Sequence, residues 1–256
     1  MHRLPHQPWL CLVLLGAALG CGHTSAAQPE PENPPRRKAV VPAPKPPPSA
    51  SIGDAMGDHF AITSFARDAV IAGLLEPLRA PLRALADYHY EDVRSGGWMP
   101  WIAQLQSAAR LTSDAATLDV AAMGVASMAR VCGECHVATH GGPVLPPPPA
   151  AEEQRLAADT VSERMARHML SAELLWEGLT APSDAVWNAG AKALIDAPDQ
   201  LDDALPESFD ADLRQVQALG KDASDATTLA QRADVFGLLI ATCSECHTRW
   251  IDHGMD

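Results

Sequence analysis

The sequence predicts an all-α protein: two tandem four-helix bundles behind an export signal and a proline-rich linker. Three observations predict it. Beyond residue 52 the chain is rich in Ala and Leu and lacks the alternating β-branched runs that would read as strands. It also repeats itself, since Ser113-Asp114-Ala115-Ala116-Thr117-Leu118 returns as Ser224-Asp225-Ala226-Thr227-Thr228-Leu229 at an offset of 111. Finally, each copy divides into apolar segments with short joins, the pattern of an antiparallel bundle. The boundaries read as 1–20 export signal, 21–52 proline-rich tether, 53–142 first domain, 143–150 proline-rich linker and 151–256 second domain.

The N-terminal segment has Arg3 before an apolar run from Trp9 to Leu19, which is too short to span a bilayer and fits a signal peptide. Ala17-Ala18-Leu19-Gly20-Cys21 is similar to a bacterial lipoprotein cleavage box, with Cys21 as the lipid-bearing residue. Ordinary cleavage near Ser25-Ala26-Ala27 is the alternative, and would leave the protein soluble in the periplasm. From Gln28 to Ala50 proline dominates, so 23 residues in polyproline conformation reach about 70 Å at 3.1 Å each.

In the first copy helices are expected over 54–75, 80–92 and 98–110, and in the second over 152–180, 183–196 and 207–220. The last helix of each copy has the clearest pattern. Leu118, Val125 and Met128 precede Cys132 by 14, 7 and 4 residues, and Leu229, Phe236 and Leu239 precede Cys243 in the same way. Ser113 or Asp114, and Ser224 or Asp225, are the expected N-caps of these last helices. Upstream, Val70-Ile71-Ala72-Gly73-Leu74 matches Leu175-Trp176-Glu177-Gly178-Leu179 at an offset of 105, and Met56-Gly57-Asp58-His59 matches Met165-Ala166-Arg167-His168 at 109.

Each copy ends in a motif that carries chemistry: Cys132-Gly133-Glu134-Cys135-His136 and Cys243-Ser244-Glu245-Cys246-His247. Two thiols one helical turn apart, followed at once by His, are what covalent haem attachment needs. The thiols add across the two vinyl groups of one porphyrin and the His reaches the iron. A zinc cage built from the four cysteine thiolates is the competing reading. With 10 His among 256 residues, however, a zinc site would place His after both pairs by chance only roughly 0.0015 of the time. The expected cofactors are therefore two covalently bound c-type haems, held by Cys132, Cys135, Cys243 and Cys246, with His136 and His247 as proximal iron ligands.

The sixth position of each iron is less constrained. His59 and His168 occupy matching places in the first helix of each copy and are the leading distal ligands. Met56 and Met165, three residues earlier on the same helical face, are the rivals, and an open or water-bound iron is the third case. His89, His140 and His253 have no equivalent partners and read as surface residues. The tryptophans, Trp98, Trp101, Trp176, Trp187 and Trp250, read as packing rather than electron relays. Arg130 and Arg249 are candidates for pairing with haem propionates.

Each copy resembles the bacterial cytochromes c′, four-helix bundles with Cys-x-x-Cys-His late on the last helix. The resemblance runs from about 54 to 140 and from 152 to 251. It implies that the group facing the open side of the iron comes from the first helix. The chain departs from that family in being duplicated, and in offering ligating side chains where many members have an apolar residue.

The full chain carries a net charge of −13, and loss of residues 1–20 leaves 18 basic against 32 acidic residues. That balance disfavours nucleic acid and suits a redox partner with a basic docking surface. The expected function is periplasmic electron transfer by a dihaem cytochrome that is a carrier, not an enzyme, anchored through Cys21 to the outer membrane. The alternatives are a gas-binding or sensor protein with an open haem site, or a dihaem peroxidase-like enzyme. No other triad, phosphate loop or carboxylate pair stands out.

Overall fold

The computed structural model describes residues 52–89, 97–148, 161–196 and 209–252. Among them are eight helices and no strand: α1 (Ile52–Ile71), α2 (Glu76–Ala86), α3 (Met99–Ser113), α4 (Leu118–Thr139), α5 (Val161–Thr180), α6 (Asp184–Ile195), α7 (Asp210–Asp225) and α8 (Leu229–Asp252). The protein is all-α, as its composition implies. Cys21, the signal segment, the tether, the expected helical stretches 90–92 and 152–160, and His253 lie outside the described residues. No described helix is long and apolar enough to cross a membrane.

Within each copy the four helices contact one another in sequence and the fourth returns to the first. The two motif-bearing helices, α4 and α8, also pack extensively on each other, and α4 meets α5 while α8 meets α1. The apolar core is correspondingly continuous across the repeat. Val125 and Met128 of α4, Phe236 and Leu239 of α8, Leu82, Leu175 and Trp176 all belong to one buried cluster. The stripe beside the thiols is thus the seam along which the copies join. Gly237 of α8 marks a close approach, since a Cβ there would meet Met123 Sδ of α4 at 2.5 Å.

The helix starts correct one expectation. Ser113 and Asp225 are the last residues of α3 and α7, and Asp114 is the C-cap of α3, so none of the four expected N-caps opens a motif helix. The caps are threonines. Thr117 is extended (φ −132°, ψ 159°) and its side chain accepts from Val120 N at 3.3 Å. Thr228 accepts from Gln231 N at 3.2 Å while Gln231 Oε1 accepts from Thr228 N at 3.1 Å, a reciprocal capping box. The Ser-Asp pairs instead close the preceding helices, and the Ala115 and Ala226 that follow them are buried at the turn.

The end of α1 leaves one backbone acceptor unused by the helix. Gly73 has φ +71°, a left-handed conformation favouring glycine, and Gly73 N and Leu74 N bond back to Val70 O and Ala69 O. This Schellman end uses two of the last carbonyls and leaves the Ile71 carbonyl for a partner outside the helix. In α5, Pro182 has no N–H and closes the helix just after Thr180, whose carbonyl is likewise outside the helix ladder.

Candidate haem sites

The two free carbonyls receive the two motif histidines, and they do so crosswise. Nδ1 of His247, on α8, lies 2.6 Å from Ile71 O at the end of α1. Nδ1 of His136, on α4, lies 2.7 Å from Thr180 O at the end of α5. Each motif histidine is therefore oriented by the first helix of the other copy. An imidazole that donates through Nδ1 is fixed in the tautomer whose Nε2 carries the lone pair, which is the state a metal-ligating histidine needs.

The second motif opens onto a narrow, largely apolar cleft. Cys243, Cys246 and His247 line it from α8, and Met165, His168 and Met169 line it from α5. Val216, Leu213 and Asp212 of α7 form the side wall, and Ile71 closes the proximal end. His168 is thus placed in the same cleft as His247. Its pKa is lowered to about 4, first by burial and then by Arg164, the His247 imidazole and Arg167. It is neutral at pH 7 and able to act as a ligand.

At the first motif the surroundings differ. His59, 3% exposed, stands edge-on to Tyr88 with ring centroids 5.7 Å apart. Met56, Tyr88, Trp98 and Met99 pack around Ala55 and Ile102 beside it. Burial alone lowers His59 to about 4. On the proximal side the chain turns back after α4. His140 takes the left-handed C-cap (φ 51°), Gly141 N bonds to His136 O, and Gly142 (φ +96°) backs onto the His136 ring. A Cβ on Gly142 would meet that ring at 2.6 Å. The structure brings His168 to the cleft of His247; it sets His59 in an apolar cluster with Tyr88.

The donor chemistry fits haem attachment better than zinc. Burial, with a lesser effect of the neighbouring thiol, pushes Cys132 and Cys243 up to about 12. Burial and then Asp212 push Cys246 up to about 11, and Cys135 is raised by burial too. Zinc takes thiolates, whereas a thioether is neutral and suits such apolar surroundings. Among the described residues no three His, Cys, Asp or Glu side chains converge as a metal cage requires. A haem iron takes only two protein ligands, and the pairs on offer are His247 with His168 and, by repeat position, His136 with His59.

Several contacts carry no plain sequence signal. Gly133, inside the first motif, touches the end of α5, where a Cβ would lie 2.3 Å from Leu179 O. In the second motif the small residue sits on the other partner, as Gly73 abuts Ser244 O and Thr248. Arg249 pairs with Asp212 at the wall of the second cleft and stacks over Phe209, and Arg130 pairs with Glu134 at 2.9 Å. Both arginines are thus engaged by carboxylates of the protein. Trp176 and Trp187 are fully buried, and Trp187 donates to Ala223 O at 2.7 Å, a packing role for both. His89 and His140 are exposed.

No protein-family model, no curated protein and no solved structure matches this chain.

Proposed function

We propose that the chain is a dihaem c-type cytochrome that carries electrons in the periplasm, built from two fused four-helix haem domains. The observation that carries the reading is the second cleft, which two thiols, a carbonyl-oriented His247 and a neutral His168 line together. Haem supplies one-electron chemistry there, ferric to ferrous and back, the electron arriving from a reduced partner protein and leaving to an oxidised one. The residues divide the remaining work. Cys132, Cys135, Cys243 and Cys246 fix the porphyrin covalently, His136 and His247 hold the proximal side, and His168 and His59 close the distal side to substrates. Two imidazoles at each iron favour transfer over ligand chemistry, so the protein acts as a carrier rather than an enzyme.

The net charge of −13 favours a partner with a basic docking surface. Cys21 is the proposed lipid anchor, with the tether lifting the domains off the outer membrane into the periplasm. A redox-titrated optical spectrum of the purified holoprotein tests the reading. Two low-spin haems per chain are expected, with no carbon monoxide adduct on reduction. A haem-free product, or two carbon-monoxide-binding haems, would overturn it.

A further inference from the structure

Helix α5 touches both candidate sites. Near its start His168 lines the cleft of Cys243, Cys246 and His247. At its last residue the Thr180 carbonyl takes the Nδ1 bond of His136, which belongs to the other site. Twelve residues of unbroken helix separate the two (168 to 180), a rod of about 18 Å at 1.5 Å per residue. Helix α1 has the same layout: His59 near the start and, again twelve residues on (59 to 71), the Ile71 carbonyl on His247.

Between those ends one side chain links the two rods. The Arg67 guanidinium of α1 lies over the Trp176 ring of α5 at 5.3 Å and bridges to Glu173 at 2.8 Å. Trp176 packs in turn on Phe236 of α8, 5.7 Å between centroids. Residues 67 and 176 share the 109 offset of His59 and His168, so equivalent positions of the two copies meet. Helix α5 packs on α4, α6 and α8, and a packed helix of this kind shifts as a unit rather than deforms.

We infer that α5 is a strut shared by both iron sites, ligating one through His168 and orienting the proximal histidine of the other through the Thr180 carbonyl, so that each site biases the other's redox equilibrium. The inference rests on the haem reading above. A proximal imidazole whose N–H meets a strong acceptor is a more basic ligand and favours ferric iron. Any displacement of α5 caused at His168 alters that bond at His136, and by linkage the influence is reciprocal.

The test is a double-mutant cycle on the full-length holoprotein, each haem taking one electron from a chemical reductant at fixed ambient potential. His168→Ala removes the distal ligand of the haem on Cys243 and Cys246, which turns high-spin, so the two haems are read separately. The other, low-spin haem is expected to change its oxidised-to-reduced ratio by about fivefold, the lower end of measured inter-site couplings. Lactic acid at position 181, the α-hydroxy analogue of Ala181, makes the Thr180 carbonyl an ester and a weaker acceptor. In that background the same His168→Ala change is expected to move the remote haem by less than about twofold. An equal shift with and without the ester, or none in either, overturns the strut. Two haems that stay low-spin after His168→Ala overturn the ligand assignment, and the strut with it. If the ester at 181 lowers the folded fraction, the mirror cycle of His59→Ala with lactic acid at 72 asks the same of Ile71.

Discussion

His247 and Ile71 are joined by a 2.6 Å contact, Nδ1 to carbonyl, across 176 residues of chain. The contact exists because Gly73 ends α1 in a left-handed turn and leaves that carbonyl free. Replacing Gly73 by Ala puts a side chain at φ +71° and a Cβ 2.6 Å from Thr248 Oγ1. Gly73→Ala is expected to cost about 1–2 kcal/mol of stability in denaturant titration. With haem bound as proposed, it should also perturb the spectrum of the group on Cys243 and Cys246 more than that of the other.

Gly133→Ala tests the matching contact at the first motif. Its Cβ would lie 2.3 Å from Leu179 O, a backbone atom that cannot swing aside. The separation of α4 from the end of α5 must grow, with an expected loss of about 1–3 kcal/mol as for other overpacked sites. Ser244→Ala, at the equivalent position, removes a hydroxyl bonded to Ala241 O at 2.7 Å and adds no bulk, so it should cost about 1 kcal/mol. Thermal unfolding of both variants orders them.

His140 and Gly142 make opposite predictions two residues apart. His140 holds φ 51° and ψ 33° at the C-cap of α4, a position glycine fills at lower cost. His140→Gly is expected to stabilise the protein by about 0.5–1 kcal/mol. Gly142→Ala should destabilise it and displace the His136 ring, which, with haem bound as proposed, is read as a changed ratio of low-spin to high-spin iron at the first site.

Acid should unfold the haem-free protein earlier than its core alone implies. His59 is held near 4 in the folded state against 6.5 when exposed, so between those values the unfolded chain binds the extra proton. Stability is full above about pH 6.5 and falls as pH drops towards 4, by about 3 kcal/mol for His59. Denaturant midpoints of the apoprotein at pH 7 and pH 4.5 measure the effect, and His59→Leu should flatten the slope.

The helices are legible because their signals are side-chain signals: Val125 and Met128, with Phe236 and Leu239, are buried on the stripe their spacing describes. The upstream register is harder to read. The offset-105 match of Val70–Leu74 with Leu175–Leu179 rests on two glycines with unlike roles. Gly73 ends its helix in the left-handed region, while Gly178 lies within the last turn of α5, where a Cβ would meet Trp187 N at 2.7 Å. The carbonyl bonds equate Ile71 with Thr180, which extends the 109 offset of His59 and His168 to the ends of both helices. The threonine caps are masked in the sequence because the Ser-Asp pairs one turn earlier have the stronger capping composition. The crossed acceptors are invisible for a different reason: a backbone carbonyl looks the same at every residue, and only the fold selects Ile71 and Thr180.

The crossed bonds also give the two sites different histories during synthesis. A chain emerging from its N-terminus has made Ile71 long before His247, so the second motif meets an acceptor already in place. His136 must wait for Thr180, 44 residues further on. The first motif is therefore complete before the helix that orients its histidine exists. The second is complete only once helices α1 to α7 are present to receive it.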